Sequence, residues 1–235
     1  MSHLVPVYPL QHITSANETL FKAAITSLKH RLDAGGGGCG WPRIWTIALA
    51  GRLFLPDVAH QRLAGQINDE CTWNRTMLNK GGAAPFQIDG SLGAPGAIVE
   101  SLLQSHEHVI PVPSAGGSND TVLTAAYTGD EATKLPLIRL LPSVPRAWSS
   151  NGGGYINGLK TRGGYTVDVV WDGTGALEAA SLTSDLGNAA YVTLGRTPVG
   201  GREGLGISID GGARSGTFVR LDGKKGQTYK ITLAK

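Results

Sequence analysis

The 235 residues suffice for one large domain or two smaller ones, and a hydrophobic content of 41% is ordinary for a globular protein. A formal net charge of +3, spread along the chain, supplies no basic patch for nucleic acid, and no apolar run approaches the about 18 residues of a membrane span. The 34 glycines follow no collagen period, so they mark turns and close backbone approaches in a loop-rich fold.

Pro6 and Pro9 point to extended chain at the start. Ser15 with Glu18 fits a capping box, and Phe21, Ala24, Ile25, Leu28 and Leu32 recur at helical steps, which predicts a helix over 16–33. Four glycines at 35–38 end it. Trp41-Pro42-Arg43-Ile44-Trp45 then opens a second helix, with proline in the first turn and Trp45, Leu49 and Leu53 on one stripe. Its two indoles and Arg43 suit either a core or a rim on which sugar faces stack. A third helix runs from Pro56 to about residue 68 with Leu63 and Ile67 inward, and residues 69–84 read as a loop carrying Trp73, Arg75 and Asn79. Ala94-Pro95 is expected to begin a fourth helix that closes near His106.

Residues 107–135 lack periodicity and read as a long loop or insertion. From Leu137 the period changes to two. Tyr165, Val167, Val169 and Trp171 alternate with more polar neighbours, Asp172-Gly173 gives a turn, and strands are expected over 177–182, 190–194, 205–209, 217–221 and 228–233. Helices followed by antiparallel strands make an α+β chain, divided here at 148/149.

Cys39 and Cys71 form neither a metal spacing nor a disulfide framework, and His106 with His108 reads as a solvated helix-end pair. Three N-glycosylation sequons, at Asn17, Asn74 and Asn119, exceed the roughly one expected by chance and lean toward secretion. No phosphate loop, nucleophile elbow or dinucleotide fingerprint is present, so no cofactor or metal is expected. What remains is the stretch Ala84-Pro85-Phe86-Gln87-Ile88-Asp89-Gly90-Ser91-Leu92-Gly93, which sets one acid between core-like Phe86 and Ile88 and small residues that admit close approach. Asp89 either caps the following helix or serves as a rigidly held catalytic carboxylate.

Six segments occur in an order that resembles glycoside hydrolase family 95, the α-L-fucosidases. They are Ser2-His3-Leu4 with Tyr8-Pro9; Gly40-Trp41-Pro42-Arg43-Ile44-Trp45; Pro85-Phe86-Gln87-Ile88-Asp89-Gly90; Leu103-Gln104-Ser105-His106; Leu140-Leu141-Pro142; and Gly158-Leu159-Lys160-Thr161-Arg162-Gly163-Gly164-Tyr165. The resemblance implies the last helices of an (α/α)6-barrel catalytic domain over 1–148 and an antiparallel β-sandwich over 149–235. It implies an inverting hydrolase in which an upstream glutamic acid protonates the leaving oxygen and an upstream asparagine acts as base toward water. The acid matching Asp89 activates that asparagine. His3, Trp41, Arg43 and Gln87 are the matching substrate-binding candidates, and a fucosylated oligosaccharide or glycan is the implied partner, together with an upstream part of the same catalytic domain.

The family's Arg-His pair, acid and base all fall before Met1 in this comparison. These 235 residues are therefore expected to be catalytically incomplete. Phe21, Leu28, Leu49 and Leu53 are expected to form an open apolar patch. Ser91, Cys39 and Ala83-Ala84 depart from common family residues, which bears on substrate choice. A non-catalytic carbohydrate-binding remnant is the alternative reading.

Overall fold

A computed structural model describes residues 1–68, 72–73, 76–77, 86–113, 121–125, 134–196 and 205–234. Asn79, Ala83-Ala84, Pro85 and the sequon asparagines Asn74 and Asn119 lie outside the described residues. The chain divides into two compact units. A helical one comprises Met1–Leu102 with Ser143–Ala147, and a strand-rich one comprises Leu103–Pro142 with Trp148–Lys235.

In the helical unit, residues 2–4 form a 3-10 turn where extended chain was expected; Leu4 N–H bonds to Met1 O, and Leu4 is buried. Helix α1 is Glu18–Asp33, and its cap is Asn17, whose Oδ1 accepts from Leu20 N at 3.1 Å. The expected Ser15 box yields because Asn17 stands directly before the first helical residue, where an amide oxygen reaches the free N–H groups. Helix α2, Trp41–Arg52, carries Pro42 in its first turn, and α3 is Pro56–Asn68.

Helix α2 is the centre of this unit. Leu49 and Leu53 pack with Leu4, Val7, Ala24 and Leu28 toward α1, while Ile44, Ile47, Ala48 and Ala50 pack with Ala59 of α3 and Ala94 and Ala97 further on. Leu28, Leu49 and Leu53 are thus fully buried and Phe21 is partly buried, contrary to the expected open patch, because the N-terminal turns and α1 close over that side. Ile67, expected inward, is more than half exposed; α3 faces the core through Ala59, Val58 and Leu63 instead.

Helix α4 is Ile88–Leu102, beginning six residues before the expected start, with Pro95 inside it. Its exposed side carries Ile88 and Leu92, 54% and 74% accessible, and Phe86 just before it is 54% accessible. The core-anchor reading of Phe86 and Ile88 is therefore corrected: the first turns of the helix place Gly90, Ala94 and Ala97 inward, while Phe86, Ile88 and Leu92 face out.

The short strands β1, Thr72–Trp73, and β2, Thr76–Met77, pair with each other. The strand-rich unit holds two six-stranded sheets, mostly antiparallel, giving the α+β mixture expected. The first contains β3 (Leu103–Gln104), β4 (His108–Pro113), β5 (Thr121–Ala125), β6 (Leu135–Leu140), β10 (Ala190–Leu194) and β13 (Phe218–Leu221) in the order β13-β10-β6-β4-β5, with β3 also on β6. The second contains β7 (Gly153–Lys160), β8 (Tyr165–Asp172), β9 (Leu177–Ser184), β11 (Ile207–Ile209), β12 (Arg214–Gly216) and β14 (Thr228–Leu233) in the order β12-β11-β14-β9-β8-β7. Residues 107–135, expected as a loop, include two strands. Prolines 111 and 113 concealed the first; among the described residues β4 pairs with β5 from Val109 to Pro113 and with β6 through His108 and Val109.

Strand β6 runs parallel to β10, with Val192 opposite Ile138, and Arg139, next to the end of β6, is wholly buried. Its guanidinium meets Glu107 at 2.6 Å and donates to Gly195 O at 3.1 Å. His106 is buried beside this pair in the sequence, not solvated. The second sheet follows the alternation read at 165–171, since every inward residue of β8 is buried. Tyr165 donates its hydroxyl to Asn188 O at 2.6 Å, and burial pushes its phenol up to about 12.

Because β6 fills the place between β10 and β4, a fragment of residues 149–235, cut at the boundary expected from sequence, loses β3 to β6 and leaves β10 without its parallel neighbour. Thermal melting followed by circular dichroism should give one cooperative transition for 103–235 and a broad, shallow one for 149–235. Equally sharp melting of the shorter fragment would contradict this role for β6.

Candidate active site

The helical unit brings the beginnings of α2 and α4 together. Trp41 N–H donates to Gln87 Oε1 at 2.6 Å, and Gly93 leaves room for the indole: a Cβ there would stand 3.0 Å from Trp41 Cζ3 and 3.3 Å from Ile44 Cγ2. Farther along, a Cβ at Gly51 would stand 3.1 Å from the backbone carbon of Glu100, whose Oε1 receives Arg52 Nη2 at 3.0 Å. Early residues thus meet early residues and late meet late. The two helices run parallel, with α3 between them in sequence as the return.

Parallel docking places both N-termini at one end, where free N–H groups and the helix dipoles favour negative charge. Asp89 stands there, in the first turn of α4 and exposed to solvent. It lies at the second helical position, inside the helix, so the reading as cap of a helix starting near Ala94 does not apply. Gln87 is half-buried, one residue ahead of the helix, and fixed by the Trp41 amide.

The indole of Trp41 stacks on Trp45 with centroids 5.5 Å apart and planes inclined by 21°, and Trp45 Nε1 donates to Tyr8 O at 2.9 Å. Both rings are half-buried, so each of the two sequence readings holds in part. Arg43 Nε donates to Gly38 O at 3.0 Å, which ties the second helix to the glycine loop. Arg62 of α3 is pushed below the ordinary guanidinium value, first by burial and then by the charge of Arg43.

His3 stands elsewhere on the unit, in the N-terminal 3-10 turn. With Thr26, Ser27, His30 and Arg31 it lines an open groove of about 550 Å³ against the end of α1.

The structure therefore joins Gln87 to Trp41 directly and to Asp89 through α4, places Arg43 on the adjoining loop, and sets His3 on a separate groove. Among the described residues no group of three or more His, Cys, Asp or Glu side chains is arranged to hold a metal ion. Two supporting residues escaped the sequence reading. Gln66, fully buried in α3, accepts from Gly40 N at 3.2 Å, and Arg52 donates to Val7 O and Leu10 O besides pairing with Glu100. A polar residue on the inward side of an apolar helix was the available signal for both. Cys39 is disulfide-bonded, which corrects the expectation that the cysteines form no disulfide framework; the other cysteine of the sequence, Cys71, lies outside the described residues.

Comparison with known proteins assigns both units. The model described as "Glycosyl hydrolase family 95 catalytic domain" matches residues 1–102, and that described as "Glycoside hydrolase family 95, C-terminal domain" matches residues 133–231. The chain is 32% identical over 202 residues to "Probable alpha-fucosidase A" of Aspergillus oryzae, covering 83% of this chain and 25% of that protein. It is 29% identical over 175 residues to the protein of the same name in Aspergillus niger, covering 74% and 19%. Over 180 residues it is 31% identical to "Alpha-L-fucosidase 2" of Arabidopsis thaliana, covering 73% and 17%. The chain spans a quarter or less of the length of these relatives.

Two substitutions probe the junction of α2 and α4. Gln87→Ala leaves the Trp41 amide without its acceptor and should destabilise the helical unit by about 1–3 kcal/mol. Gly93→Ala, whose new methyl meets the Trp41 ring, should shift the indole and alter near-ultraviolet circular dichroism. Urea unfolding checks the first and the spectrum the second; parental behaviour of both would mean that the junction is not holding the helix ends.

Proposed function

Because the chain belongs to glycoside hydrolase family 95, we propose that it supplies one wall of the active site of an inverting α-L-fucosidase, with Asp89 as its catalytic carboxylate and fucosylated glycans as substrates. The observation that carries this reading is the exposed position of Asp89 at the shared N-terminal end of α2 and α4, next to Gln87, whose side-chain oxygen already accepts the Trp41 backbone amide. An acid in that place has its backbone fixed while its carboxylate remains free to meet a partner.

The chemistry follows from what an amide lacks. An asparagine side chain is too weak a base to take a proton from water unaided. In this reading Asp89 accepts the N–H of an asparagine that precedes the matched segment, which enriches the amide oxygen. That oxygen receives the proton of a water attacking the anomeric carbon, while a glutamic acid protonates the leaving oxygen on the opposite side. Trp41 offers an apolar face to the sugar and Arg43 and Gln87 offer polar contacts, whereas His3, on the groove beside α1, stands apart from this set.

The finer fold reading is also a proposal. The four helices belong to an (α/α)6 barrel, and the exposed apolar side of α4 at Ile88 and Leu92 is where further barrel helices pack. The strand-rich unit is a β-sandwich, antiparallel except where β6 meets β10. Secretion is supported by the disulfide at Cys39, which persists in oxidising compartments, and by the exposed sequon at Asn17. No described helix is long and apolar enough to cross a membrane.

A polypeptide of these 235 residues alone should release no fucose from 2′-fucosyllactose, because Asp89 without the amide and the acid has neither proton transfer to perform. In a full-length enzyme carrying this segment, Asp89→Asn should lower turnover roughly 10²–10⁴-fold, the usual worth of general acid–base help, with the melting temperature retained. Near-parental turnover of that variant would reduce Asp89 to a helix-opening residue and favour the carbohydrate-binding alternative.

A further inference from the structure

We propose that Asn17 carries an N-linked glycan, held at the end of the helical unit away from Asp89, where α1 accepts it without losing its cap. The sequon Asn17-Glu18-Thr19 has no proline between its two required residues, and all three are exposed to solvent. Asn17 stands directly before α1 with φ −109° and ψ 89°, and its Oδ1 accepts from Leu20 N at 3.1 Å. With the oxygen committed to the cap, the Nδ2 on the opposite side of Cγ has no partner among the described residues. Glu18 is drawn along the helix toward Lys22, with which it pairs at 2.6 Å, so it does not fold back over that nitrogen.

Glycosylation replaces one Nδ2 hydrogen and leaves the oxygen untouched, so the modified residue remains an N-cap. The donor is a lipid-linked oligosaccharide diphosphate. Nδ2 forms a bond to the anomeric carbon, the bond from that carbon to the diphosphate oxygen breaks, the lipid diphosphate departs and one Nδ2 proton is released. The transfer takes place in the secretory route, so the proposal rests on the reading of secretion given above; the geometry of the acceptor does not.

The placement follows from the packing of α1 on α2, which run antiparallel. Phe21, in the first turn of α1, has its ring 5.4 Å from that of Phe54, just past the end of α2. At the other end of α1, a Cβ on Gly37 would stand 3.5 Å from Leu32 Cδ2 and 2.7 Å from Thr46 Oγ1. The start of α1 therefore lies beside the finish of α2, whereas Trp41, Gln87 and Asp89 gather at the start of α2. The 12 residues of α2 rise about 18 Å between those two ends. A glycan on Asn17 is thus separated from the candidate site by the length of a helix and leaves it open to substrate.

The test uses a full-length enzyme carrying this segment, secreted from yeast with its own upstream region. Digestion with peptide-N-glycosidase in heavy-oxygen water converts a glycosylated Asn17 to labelled Asp, and mass spectrometry of the peptide ending at Lys22 should find that label in most molecules. Thr19→Ala deletes this sequon alone; it should remove one glycan from the electrophoretic pattern and leave kcat and KM unchanged. Asn17→Asp also removes the glycan but keeps a capping oxygen, so its urea midpoint should match that of Thr19→Ala, whereas Asn17→Ala should unfold at lower urea than both. Unlabelled Asn17 in protein recovered from the medium would overturn the proposal and leave secretion standing, and retention in the cell with Asn17 unmodified would overturn both. A lower kcat/KM for Thr19→Ala would refute the placement away from the candidate site, and equal midpoints for Asn17→Asp and Asn17→Ala would refute the retained cap.

Discussion

The helical unit depends on the parallel seating of α2 against α4. That arrangement needs small residues where the helices approach, namely Gly51, Gly93, Ala94 and Ala97, because larger ones would collide with Glu100, Trp41 or Ile44. It also needs polar closures at the two ends, the Trp41 amide on Gln87 and Arg52 on Glu100. Once both are present, two helix beginnings lie side by side, and the position of Asp89 is a consequence. The buried Arg52–Glu100 pair costs desolvation, which its further bonds to Val7 O and Leu10 O and its place over the Tyr8 ring offset. Removing either partner would strand a charge in the interior, so the pair fixes this packing more than it stabilises the fold.

Much of the architecture was legible because it rests on local signals. Helix α1 follows from its apolar recurrence, α2 from Pro42 and its stripe, and β8, β10 and β14 from alternation and turn residues. The failures have a common origin in tertiary context. Pro95 and the small residues before it resemble a helix entrance, yet α4 begins at Ile88 and carries the proline within. Strands β4 and β5 were missed because their pairing with each other, not the alternation of one segment, defines them. Burial of Leu28, Leu49 and Leu53 could not be read because the residues that cover them, Leu4 and Val7, sit in what looked like a simple extended leader.

The candidate site was legible in part. Asp89, Gln87, Trp41 and Arg43 were identified through a family pattern, and the structure joins Trp41 to Gln87 by a bond between residues 46 positions apart that no local pattern announces. The G-L-K-T-R-G-G-Y stretch has a different character. Gly158 accompanies the register shift between β7 and β8, Arg162 N–H reaches Ser105 Oγ at 3.1 Å, and Tyr165 anchors the turn from within. A family signature can thus mark a structural joint as readily as a reacting group, and only geometry separates the two.

The central claim is that this segment presents Asp89 as half of a divided catalytic apparatus. Complementation tests it most directly: the purified chain is mixed with the part of a family 95 relative that precedes its region of similarity, and fucose release from 2′-fucosyllactose is followed. The account predicts no turnover by either piece, turnover by the mixture, and none when the chain carries Asp89→Asn. Turnover by the chain alone, or by a mixture indifferent to that substitution, would contradict it.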